Sequence, residues 1–68
     1  MNRAAFLRDL KAYCRSAGIE YSYDPSQGKG GHGRVYAGDR FTTVKSGEIS
    51  NTMKQVMLKQ LDLPKDAF

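Results

Sequence analysis

The sequence predicts an α+β domain in the order helix, three antiparallel strands, helix, with both helices packed on one face of the sheet. Three observations carry this expectation. Apolar residues recur at spacings of three and four near both ends of the chain, which is the period of an amphipathic helix. The middle alternates apolar and polar side chains in short runs, as half-buried strands do. A Gly-Asp pair separates the last two runs, the composition of a two-residue hairpin turn. Sixty-eight residues make one domain, 1–68, with a thin core: a chain of this size buries only about 60% of the surface its unfolded form exposes.

Taken in order, Phe6, Leu10, Tyr13, Cys14 and Ala17 define one face of a first helix over Asn2–Ala17, and Gly18 ends it as a left-handed cap. Ile19–Asp24 alternates, with Ile19, Tyr21 and Tyr23 on one side, and Pro25 stops the strand. Those tyrosines belong to the core or to the open face; alternation alone does not choose. Residues 25–31 contain three glycines and read as a loop. A second strand over Gly31–Ala37 and a third over Arg40–Val44 flank Gly38-Asp39. That register sets Tyr36 opposite Phe41, Arg34 opposite Thr43 and His32 opposite Lys45, all on one side, with Val35 and Thr42 on the other. Ser50 is a candidate N-cap for a second helix from Asn51 to Leu61. Its apolar stripe is Ile49, Met53, Val56, Met57 and Leu61, interrupted at Gln60. Tyr13, Cys14, Met53 and Met57 fall on these stripes and are expected in the core. Phe68 is placed to dock back on it. Helices confined to one face leave the other free, the arrangement used by double-stranded RNA-binding domains.

Charge points to the kind of partner. The net charge is +4 and the pI about 9.5. Between residues 26 and 47 lie Lys29, Arg34, Arg40 and Lys45, opposed only by Asp39. Positive charge concentrated in this way suits a polyanion such as nucleic acid. One cysteine, Cys14, excludes an internal disulfide framework and fits a reducing compartment. The expected location is the cytoplasm. The first residues do not read as a signal peptide, and no apolar run approaches the roughly 20 residues of a membrane span.

The densest signal is Gly28-Lys29-Gly30-Gly31-His32-Gly33. It matches GxGxxG literally, but a strand follows where a dinucleotide site needs a helix within a parallel unit. The spacing of a phosphate-binding P-loop is absent. One histidine and one distant cysteine make no ligand cluster, so neither metal nor cofactor is expected. What remains is His32 between glycines, beside Lys29, Arg34 and Lys45. Glycine lets a backbone approach a ligand closely. Imidazole moves protons near neutral pH, and RNA brings its own nucleophile in the 2′-hydroxyl. One base that removes that proton, next to cations that stabilise the crowded phosphate, is enough for slow strand scission.

Gly30-Gly31-His32-Gly33-Arg34-Val35-Tyr36, Asp39-Arg40-Phe41-Thr42-Thr43-Val44, Glu48-Ile49-Ser50 and the helix from Met53 to Leu61 together resemble the HicA toxins of bacterial toxin-antitoxin modules. The similarity extends to Asp66-Ala67-Phe68. The resemblance implies a double-stranded RNA-binding-domain-like α-β-β-β-α fold and an mRNA interferase that cleaves messenger RNA and halts translation. It puts the catalytic histidine at His32. It also implies a cognate HicB-type antitoxin that binds the toxin and covers His32, giving a hetero-oligomer. Two positions depart from the pattern: Gly31 stands where many members carry Ser, and Lys45 where many carry Pro.

The leading expectation is therefore a metal-independent endoribonuclease with His32 as general base or acid. Lys29, Gly30, Gly31, Arg34 and Lys45 would contact RNA, and Tyr36 would stack on a base. A non-catalytic RNA-binding module that represses translation by occupancy shares the fold and the basic face, but needs protein in excess of RNA. A protein-interaction subunit with a basic face for an acidic partner is the third alternative.

Overall fold

A computed structural model describes residues 1–25 and 32–68. The elements are α1 (Arg3–Ala17), β1 (Tyr21–Asp24), β2 (Gly33–Ala37), β3 (Arg40–Val44) and α2 (Asn51–Gln60). The three strands form one antiparallel sheet in the order β1-β2-β3. The expected α-β-β-β-α order and α+β class hold. Most of the expected loop at 25–31, and the expected start of the second strand at Gly31, lie outside the described residues.

Each helix is closed at both ends by its own sequence. Asn2 caps α1, its side-chain oxygen accepting from the Ala5 N–H at 2.8 Å. Past α1, Gly18 adopts φ 71°, while the Gly18 and Ile19 N–H groups donate to the Arg15 and Cys14 carbonyls. That pair of bonds satisfies carbonyls a helix end otherwise leaves open. Ser50 caps α2 by accepting from the Met53 N–H at 3.1 Å. The same bond pair recurs after α2, from Asp62 to Lys59 and from Leu63 to Leu58. Here Asp62 takes the left-handed role at φ 59°.

The hairpin register is the one the turn demanded. Ala37 pairs with Arg40, Tyr36 with Phe41, Val35 with Thr42 and Arg34 with Thr43. Gly38 has φ 64°, and Asp39 does not share the positive sign, which suits a turn with glycine at its first central position. On the other side Tyr21 pairs with Ala37 and Tyr23 with Val35. Val35 and Ala37 are buried, so both tyrosines lie on the core side, and both are half-buried against it.

Both helices meet that side. Phe6, Leu10 and Cys14 from α1, Val35, Ala37 and Val44 from the sheet, and Ile49, Met57 and Leu61 from the α2 segment form one cluster. Phe68 packs on it edge to face with Phe6, ring centroids 5.5 Å apart. Thr42 is the one buried polar side chain among the described residues, and its hydroxyl donates to the Gln60 amide oxygen. The polar break in the α2 stripe therefore has a partner.

The phase of α2 departs from the expected stripe. Met57, Leu58 and Leu61 are buried, whereas Met53 is 50% and Val56 45% exposed. Met53 is not a core residue, and Leu58, outside the expected stripe, is fully buried. Tyr13 is half-buried rather than enclosed. Ile49 precedes the helix, and its apolar side chain does not fix the helix phase. The face is instead set by Met57, Leu58 and Leu61, which share one side of the last turns.

Candidate functional site

Alternation along β2 sends Arg34 and Tyr36 away from the core. Two cross-strand rows result on the open face: Ser22, Tyr36 and Phe41 in one, Asp24, Arg34 and Thr43 in the next. The rings of Tyr36 and Phe41 lie 5.9 Å apart at 46°. The Arg34 guanidinium carbon sits 4.5 Å from the Phe41 ring centre, within cation–π reach. Phe41 is 47% exposed. The open face thus presents an aromatic surface with a cation already stacked on it.

His32 immediately precedes β2. Continuing the alternation puts it beyond Arg34, with Lys45 beyond Thr43. His32 and Lys45 line one cavity of about 370 Å³, together with Thr43, Glu48, Ile49, Ser50, Met53 and Met57. The cavity forms where the connector after β3 turns from the sheet into α2. Residues 47–49 of that connector are held against the N-terminal segment. The Ile49 N–H donates to the Met1 carbonyl at 2.6 Å, the Arg3 N–H donates to the Gly47 carbonyl at 3.2 Å, and the Met1 ammonium pairs with Glu48 Oε2 at 2.8 Å.

Gly33 explains how the chain next to His32 packs. A Cβ on Gly33 would fall 2.8 Å from Cε1 and Oη of Tyr23. The tyrosine ring occupies the space a side chain would fill, so β1 and β2 close tightly at the edge of the site.

Of the residues expected to act together, the fold gathers His32 with Lys45 around the cavity, and Arg34 with Tyr36 on the adjoining sheet face. Lys29, Gly30 and Gly31 lie outside the described residues. Phe41, Met53 and Glu48 are among the further side chains on this face and around the cavity. Phe41 was legible from the hairpin register, which already set it opposite Tyr36. Met53 was hidden by its helical spacing. Glu48 carried no signal, being one acidic residue in a connector. Among the described residues no three His, Cys, Asp or Glu side chains gather as a metal site would require, and no helix is long and apolar enough to cross a membrane.

Burial shifts the titration of two groups on the core side, Cys14 and Tyr21. Burial raises the Cys14 thiol above its ordinary 9.0. Burial also raises Tyr21 above 10.0, with smaller contributions from Cys14 and Tyr23. A thiol held protonated in an apolar core is a poor nucleophile, which leaves Cys14 as a packing residue.

Fold and site together define an α+β domain with aromatic rings and a stacked cation on its open sheet face and, beside the second helix, a small cavity lined by its histidine and a lysine. Neither a scan against protein-family models nor searches of the curated proteins and of the solved structures found a match.

Proposed function

We propose that this chain is a ribonuclease of the HicA kind, a toxin that cleaves mRNA and thereby inhibits translation. The observation that carries the reading is the placement of His32 and Lys45 at one cavity, beside the stacked Arg34, Phe41 and Tyr36 of the open face. Single-stranded RNA is held by such surfaces through base stacking on aromatic rings and through charge on its backbone. From the adjoining cavity His32 reaches the ribose-phosphate chain of RNA stacked on that surface.

In this mechanism His32 takes the proton from a 2′-hydroxyl. The 2′-oxygen then bonds to the neighbouring phosphorus, and the bond from phosphorus to the 5′-oxygen breaks. The products are a 2′,3′-cyclic phosphate and a 5′-hydroxyl. Lys45 and Arg34 stabilise the extra negative charge on the phosphoryl oxygens in the transition state. The departing 5′-oxygen takes its proton from water, from a lysine or from the substrate, since the chain has one histidine. The chemistry needs no metal. The regulating partner in this reading is a HicB-type antitoxin that covers His32 in the cytoplasm.

The test is incubation of the purified protein with labelled mRNA in excess EDTA, wild type beside His32→Ala. Cleavage by the wild type alone is the expected outcome. Intact RNA in both lanes, with RNA still bound, would replace this reading with repression by occupancy.

A further inference from the structure

We propose that the cavity beside His32 is a nucleobase pocket that selects guanine next to the bound phosphate, with Glu48 as the selecting group and Met53 as the wall against the ring. The inference rests on the RNA reading above and assigns to it a base preference.

Size comes first. At about 370 Å³ the cavity sits at the small end of the roughly 300–1,000 Å³ range of ligand pockets. That is the scale of one flat heterocycle rather than of a polypeptide helix, which is about 10–12 Å across with its side chains. The lining is divided in the way such a ring requires. Ile49, Met53 and Met57 form an apolar wall, while Thr43, Ser50, Glu48, Lys45 and His32 form a polar rim. Thioethers are polarizable and pack well on aromatic rings. Met53 is half exposed although its neighbours on the wall, Ile49 and Met57, are buried. A ring seated there covers it.

Charge then selects the base. Lys45 is a donor only, and its chemistry suits a phosphate. Glu48 is an acceptor only. Its known bond uses Oε2, to the Met1 ammonium, and each carboxylate oxygen has two acceptor positions, so capacity is left. Guanine presents two adjacent N–H donors, N1–H and N2–H, which a carboxylate can accept side by side. Uracil offers one. Adenine and cytosine place an amino group next to an unprotonated ring nitrogen, whose lone pair faces the carboxylate unfavourably.

The experiment measures affinity by fluorescence anisotropy at fixed salt. The ligands are 2′-O-methylated uridine pentamers carrying guanine, adenine, cytosine or uracil at the central position. The blocked 2′-oxygen prevents cleavage, so binding is read on its own. The guanine pentamer is expected to bind about tenfold more tightly than the all-uridine one, a modest return for one bidentate pair. Glu48→Gln is expected to remove that preference while leaving uridine binding in place, and Met53→Ala to weaken all four pentamers. Equal binding of the four by the wild type would overturn the pocket, as would a guanine preference that survives Glu48→Gln. If Glu48→Gln does not fold, unchanged affinities in Met53→Ala overturn it instead. Unmodified RNA run in parallel separates the two readings. Guanine-selective binding without cleavage removes the nuclease and keeps the pocket; cleavage with base-blind binding does the reverse.

Discussion

Replacing Gly33 by alanine should destabilise the domain through one contact. Gly33 is not among the described residues with positive φ, so alanine meets no backbone strain. By itself the change would stabilise by about 0.4–1 kcal/mol through reduced freedom of the unfolded chain. Against this, the new methyl would sit 2.8 Å from Tyr23 Cε1 and Oη and 3.1 Å from Cζ, whereas carbon atoms in contact rest at about 3.5–4.0 Å. The ring belongs to a residue whose strand position faces Val35 and which packs on the core, so it cannot move away freely. Overpacking of this kind costs about 1–3 kcal/mol. The balance is a loss of about 1–2 kcal/mol, or a Tm lower by roughly 5–15 °C for a domain of this size. Thermal unfolding followed by circular dichroism measures it. The same substitution in a Tyr23→Leu background should be neutral or stabilising, because the obstructing ring is gone. Equal shifts in the two backgrounds would refute the argument, as would a raised Tm with Tyr23 in place.

Two other outcomes follow from burial. Leu58→Ala should cost about 2–5 kcal/mol in urea unfolding, while Met53→Ala should stay within about 0.5 kcal/mol of wild type; the reverse order would contradict the phase assigned to α2. Stability should also fall at alkaline pH. The folded state raises Cys14 and Tyr21 above 9.0 and 10.0. Their contribution is therefore fully present below those values and is lost as pH rises through the higher folded values. Urea midpoints should decline above about pH 9, and Cys14→Ala should flatten the first part of that decline.

The degree to which each feature was legible depended on how local its cause was. The hairpin register followed from Gly38-Asp39 alone, because a two-residue turn leaves one way to pair the strands, and it set Arg34, Tyr36 and Phe41 on one face. Helix α1 was legible because its apolar residues fall on one face and Gly18 ends it, whereas the cap at Asn2, read as the first helical residue, emerged only from the fold. The phase of α2 was not. Its apolar residues form two overlapping stripes, Met53 with Val56 on one and Met57, Leu58 and Leu61 on the other, and only packing on the sheet chooses between them. Tyr21 and Tyr23 were ambiguous for a related reason: alternation states that they share a side, and only pairing with Ala37 and Val35 states which. The cavity was beyond reach because His32, Thr43, Glu48 and Met53 come from four separate stretches of chain, and their convergence is a property of the fold.

The order β1-β2-β3 makes β2 the strand bonded on both edges, and β2 is the strand that carries Arg34 and Tyr36 and begins one residue after His32. Amides of such a central strand exchange with solvent through opening of the whole domain rather than through fraying. The proposed working surface is thus anchored to the part of the molecule that lets go last.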